Sequence, residues 1–147
     1  LDADFAGTVD AVLAAVAAAL AAPASPAVAA IGAGAVLVSS SADPTQVADH
    51  EARLGRGRAS DLLERATAEI AVRAVDTLGV RRLIVAGGET SAAVVAALGV
   101  EALRVGPAAG PGLPWMVPDA GPRLALLLKS GNFGEPDLFD AAWDHSP

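Results

Sequence analysis

Apolar residues alternate between two spacings along this chain. From Thr8 to about Ala22 the run "TVDAVLAAVAAALAA" is almost continuously apolar, and Thr8 offers a hydroxyl cap, so a helix is expected there. The prolines of "APASP" (22–26) end it. "AVLVSSS" (35–41) is a short β-branched run between glycine and Asp43-Pro44, the pattern of a buried strand. "HEARLGRGR" (50–58) is polar and glycine-broken and reads as a loop. From Ser60 to Leu78, Leu62, Leu63, Ala66, Ile70, Ala74, Val75 and Leu78 recur at helical spacing, and Gly79 stands where a C-cap glycine belongs.

The second half alternates more quickly. "RRLIVAGG" (81–88) predicts a strand, residues 90–98 a short helix closed by Gly99, "ALRVG" (102–106) a third strand, and "RLALLLKSG" (123–131) a fourth. Near-continuous apolar strands separated by helices predict an α/β fold: a mostly parallel sheet with helices on both faces, a Rossmann-like three-layer architecture. Residues 81–106 would then form a right-handed strand–helix–strand crossover. The segment "PAAGPGLPWMVPDAGP" (107–122) is too rich in proline and glycine for either period and is expected to be an ordered loop.

Composition narrows the class. The chain has 147 residues, 53% of them hydrophobic and 18% charged, enough for one globular domain over 1–147. A net charge of −7 provides no basic stripe for a nucleic-acid backbone. It does not exclude a small phosphate ligand, which local donors hold. The apolar stretch 11–22 lacks a positive leader and falls short of a membrane span, so no membrane association is expected. The absence of cysteine suits a reducing, cytoplasmic setting, and His50 and His145 lack zinc-ligand spacing, so no protein metal site is expected.

Three strand ends carry hydrogen-bond donors. Gly87-Gly88-Glu89-Thr90-Ser91 follows the second strand and opens a helix, whose first N–H groups and partial positive charge suit an anion. The plain alternative is a tight turn in which Thr90 or Ser91 is only the helix cap. "KSGNFG" (129–134) follows the fourth strand, with Lys129 closing an apolar run; that lysine either meets ligand charge or reaches solvent. "SSSADP" (39–44) is a third cluster, in which Asp43 is expected to cap the next helix. Ligands of open α/β sheets lie outside the carboxyl ends of strands, where all three fall. The motif is neither GxGxxG nor a Walker sequence.

"VAGGETSAAVVAALGV", "PGLPW" (111–115) and "LALLLKSGNFGEPDLF" (124–139) together resemble the nucleotide-binding domain of the four-carbon acid sugar kinases, over about Val36 to Trp143. That resemblance implies an ATP-binding C-terminal domain whose partner, an N-terminal domain for the acid sugar, is not in this chain; starting at Leu1 without Met agrees with such a piece. It implies ATP-dependent phosphorylation of a 3-oxo-tetronate, threonate or erythronate. Nucleotide contacts are implied at Gly87, Gly88, Glu89, Thr90, Ser91 and Gly131, with Lys129, Ser130 and Asn132 in the same turn. A further family contact on a serine-rich turn near the domain's start has no match around Leu1–Gly7. Ala92 departs from relatives that carry glycine, without removing a donor. Mg²⁺ is expected to bridge the phosphates, with Glu89 either near it or simply favouring the helix dipole. The catalytic base is not identifiable, and a homo-oligomer remains open. Trp115 is expected either to stack on adenine or to anchor its loop. A non-catalytic module for a small anion or sugar phosphate is the alternative reading.

Overall fold

The computed structural model describes residues 4–22, 35–40, 43–131 and 133–147. Helix α1 (Phe5–Ala21) begins earlier than Thr8, because the Asp4 side chain accepts the Gly7 N–H at 2.9 Å and thereby caps the helix. Thr8 lies inside the first turn and donates its hydroxyl to the Asp4 carbonyl at 2.8 Å. Helix α2 (Pro44–Leu54) and helix α3 (Arg56–Thr77) occupy the stretch expected to hold a loop at 50–58. The glycines there do not break the chain into coil: Gly55, at φ +81°, is the N-cap of α3 and separates the two helices. Gly79 follows α3 at φ +70°, as a C-cap glycine should.

Then come β1 (Arg82–Ala86), α4 (Gly88–Ala97), β2 (Leu103–Gly110), β3 (Leu113–Pro118), β4 (Ala125–Lys129), and a short α5 (Leu138–Ala141) running into a 3₁₀ turn at Ala142–His145. The sheet order is β1-β4-β3-β2. The α/β class stands, but among the described residues the sheet is mixed rather than mostly parallel. β1 and β4 are parallel, whereas β4–β3 and β3–β2 are antiparallel. The strand paired in parallel with β1 is β4; β2 runs in the same direction but lies two strands further on, so 81–106 crosses between parallel strands that are not neighbours.

The reason lies in 107–118, which form the end of β2, a turn and β3 rather than a loop; only 119–122 remain irregular. Its prolines fit a sheet because they sit where a missing N–H costs little. Pro107 lies on the edge strand, at register shifts between Val105 and Gly110. Pro114 and Pro118 flank the short β3–β4 ladder, which joins only Trp115 to Leu127 and Met116 to Leu126. Gly112, at φ +73°, makes the turn.

Alternation along the strands sorts the core into two layers. Leu83, Val85, Leu126 and Leu128 face α3 and α4, meeting Ala68, Ala71, Val75 and Val94. Ile84, Leu113, Trp115, Ala125 and Leu127 face the opposite way, under Leu138 and Ala142. Helical segments thus cover both faces, giving three layers. α1 packs on α3 through Val9 and Leu13 against Ala66 and Ala74, small residues that let the helices approach. Residues 35–40, expected to be a buried strand, are not in the sheet; Leu37 is 61% exposed. Ser41 lies outside the described residues.

Trp115 is fully buried, and its indole N–H donates to the Ala142 carbonyl at 2.9 Å. Its ring lies 5.7 Å from that of Trp143, tilted by 46°. With no face accessible it cannot stack on a base, so of the two roles expected for it the structure has the anchor. In a Trp143→Phe background, ADP should leave Trp115 emission unchanged. Trp115→Ala should cost about 3–5 kcal/mol, as truncation of a buried aromatic does, and lower the melting temperature correspondingly. A Trp115→Ala protein that melts like its parent would refute the anchoring role.

Candidate functional site

Parallel pairing brings the carboxyl ends of β1 and β4 level, with Ala86 opposite Lys129. One hydrogen bond then ties the turns that follow: the Gly87 N–H donates to the Lys129 carbonyl at 2.8 Å. The glycine-rich turn and the lysine turn, far apart in sequence, become neighbours at one edge of the sheet.

Gly87 is the N-cap of α4 with φ +109° and ψ 133°, a conformation that favours glycine. No side chain caps this helix. The N–H groups of Gly88, Glu89 and Thr90 open the first turn, so none has an acceptor within the helix. Gly87, Gly88 and Glu89 are exposed and Thr90 is half-buried. At Gly88 a Cβ would meet nothing within 4 Å, so the backbone lies open to whatever approaches. Glu89 is the acid of the first turn, a position that the helix dipole favours.

Ser91 differs from its neighbours. It is buried, and its hydroxyl reaches back to donate to the Val85 carbonyl at 3.3 Å. Its backbone N–H bonds the Gly87 carbonyl at 2.9 Å. Both groups are committed to holding the turn, so the donors facing outward are those of Gly88, Glu89 and Thr90.

On the second turn Lys129 is half-buried and its ammonium donates to the Gly131 carbonyl at 2.8 Å. The lysine curls over its own turn, which keeps a positive charge at the mouth. Gly131, at φ +57°, allows that curl, and Ser130 is exposed beside it. Asn132 lies outside the described residues. Gly134, at φ +98°, lets the far end of the turn press on the core: a Cβ there would come within 3.1 Å of Leu113 and closer still to Leu138.

The serine cluster divides as its chemistry suggests. Asp43 accepts the Thr45 N–H at 2.9 Å and the Thr45 hydroxyl at 2.6 Å at the start of α2. Those bonds hold its carboxyl below the usual carboxylate range. Ser39 and Ser40 are exposed and line the same cavity, of about 630 Å³, as Ala86 and Thr90. Lys129 and the Gly87–Glu89 turn lie outside the lining of that cavity, whose wall is mostly apolar. Among the described residues no cluster of three or more His, Cys, Asp or Glu side chains can hold a metal ion. None of the described helices is long and apolar enough to cross a membrane.

Comparison with known proteins places the chain among relatives. Residues 3–139 match the family described as Nucleotide-binding C-terminal domain. A 3-oxo-tetronate kinase of Cupriavidus necator is 50% identical over 107 residues, 73% of this chain and 24% of the relative. A 3-oxo-tetronate kinase of Pseudomonas fluorescens is 49% identical over 109 residues, 74% of this chain and 25% of the relative. A solved structure from Salmonella typhimurium LT2 superposes with a TM-score of 0.75 at 31% identity, covering 96% of this chain and 32% of that one. The chain spans about a quarter of the length of the curated relatives it matches. With its two donor-rich turns at the carboxyl ends of a parallel strand pair, this chain belongs to the family of nucleotide-binding C-terminal domains.

Proposed function

We propose that the domain binds the phosphates of ATP and ADP between the turns at Gly87–Thr90 and Lys129–Gly131. On this reading it serves a kinase that phosphorylates a four-carbon sugar acid of the 3-oxo-tetronate, threonate or erythronate type. The observation that carries the reading is the Gly87–Lys129 backbone bond, which sets a row of unpaired helix N–H groups beside a lysine. The family match and the relatives named 3-oxo-tetronate kinase support the nucleotide and the acceptor class. The sugar acid is then held by a further domain of the whole protein, which agrees with the quarter of the relatives' length spanned here. The absence of cysteine fits a cytoplasmic enzyme.

In-line phosphoryl transfer demands positioning and neutralised phosphate charge. The N–H groups of Gly88, Glu89 and Thr90 serve the first need, since a phosphate oxygen seated on them is fixed in place by backbone. Lys129 serves the second as a point charge. Ser91, through the Val85 carbonyl, keeps the turn from relaxing when the ligand leaves. Mg²⁺ fits this donor set: it keeps several waters and needs only one or two carboxylates besides phosphate oxygens, so exposed Glu89 suffices without a protein cage. When bound, the ion supplies charge neutralisation across the phosphates.

A thermal-shift titration separates this reading from that of an anion-binding module. ADP and ATP should raise the melting temperature, by the equivalent of about 2.7 kcal/mol at a hundredfold excess over Kd. Stabilisation by sugar acids or inorganic phosphate alone would favour the anion module instead. Gly88→Val should abolish the ADP shift while the domain still folds, because Gly88 has an ordinary φ and open space where the side chain would start. Wild-type ADP affinity in Gly88→Val would leave only a plain turn.

Lys129→Met tests the charge separately. In the full-length enzyme it should weaken ATP by about tenfold, roughly 1.4 kcal/mol, and sugar acid much less. Equal ATP affinity in mutant and wild type would show that the lysine merely caps its own turn.

A further inference from the structure

Strand β1 has a second edge. In its ladder with β4, the Arg81 carbonyl accepts from Ala125 and the Gly87 N–H donates to Lys129. Residues 81, 83, 85 and 87 therefore turn their backbone groups toward β4. The N–H and C=O groups of Arg82, Ile84 and Ala86 point the other way, where the described residues form no ladder. A bare strand edge next to a core is a site for another strand.

Beside that edge runs the cavity of about 630 Å³, lined by Arg81–Ala86 on one side and by Ala35–Ser40 on the other. It wraps both faces of the sheet, reaching Val9 and Ile70 on α1 and α3 and Phe139 and Trp143 in the C-terminal segment. A strand in this slot would lie between two apolar layers and must be apolar on both of its own faces. Ala35-Val36-Leu37-Val38 meets that demand, yet Leu37 and Val38 stand 61% and 44% exposed. The connection from this segment to β1 runs through α2 and α3, the helical crossover that joins parallel strands.

We propose that residues 35–40 dock as a fifth, parallel strand on the free edge of β1, sealing the slot. The described position of the segment is its undocked state. Docking removes two large apolar side chains from water and pairs the stranded backbone groups of Ile84 and Ala86. It also carries Ser39 and Ser40 toward the level of Ala86, at the edge where the donor-rich turns meet. The docking itself does not depend on the nucleotide reading.

Amide exchange on the ligand-free chain tests it. The Val85 amide, bonded to β4, should be protected in any case and serves as internal control. Docking should protect the Ile84 and Ala86 amides at least ~100-fold over unstructured peptide, as ladder hydrogen bonds do. Leu37→Asp, and the milder Leu37→Ser, should each remove that protection and lower the melting temperature. Val105→Asp, on the exposed edge strand at 74% exposure, should change neither. Exchange of Ile84 and Ala86 at unstructured rates would overturn the proposal, as would protection that survives both Leu37 substitutions. Protection that rises with protein concentration alongside dimer formation would assign the edge to a second copy and overturn it too.

Discussion

Everything that looks like a binding site here hangs on the parallel pairing of β1 with β4. It is the one contact that makes neighbours of two turns separated by an entire helix and hairpin, and it ends in the bond from Gly87 to Lys129. Remove that register and the glycine turn still caps a helix, and the lysine still curls over its own carbonyl. Neither would then form a shared surface. The core supports the pairing from both sides, because alternate residues of β1 and β4 feed the two apolar layers. A slip of one residue would send Leu126 and Leu127 each to the wrong layer.

Within the site, backbone and side chains divide the work. Ser91 and Gly87 shape the turn, one through a buried hydroxyl and the other through a left-handed φ. Gly88, Glu89 and Thr90 present what the turn exposes. By this division only part of Gly87–Ser91 is exposed, while Ser91 is buried in holding the turn.

Much of this was legible in the sequence, and the failures have physical causes. The helix at 60–78, the strands at 81–88 and 123–131 and the helix after Gly88 follow from periodicity and caps, and they appear with small shifts at their ends. The hairpin at 107–118 was hidden because proline normally argues against a strand. Here Pro107, Pro114 and Pro118 occupy edge and flanking positions, which only the pairing reveals. Sheet order was equally beyond reach: nothing local says that β1 should skip β2 for β4. The turns at Gly87–Ser91 and Lys129–Gly131 were legible as breaks in the apolar pattern at two strand ends, whereas their adjacency was not. That Ser91 points inward was not, since a serine in a helix's first turn can cap, donate outward or bond backward with similar ease.

The hairpin inserted between the two partner strands also shapes how the domain comes to exist. Closure of the β2–β3 hairpin is a comparatively local event. Joining Gly87 to Lys129 instead closes a loop of more than forty residues, and that closure entropy is offset only once both apolar layers are in place. The two turns therefore meet only through a non-local contact, which the sheet has to close before they can share a surface.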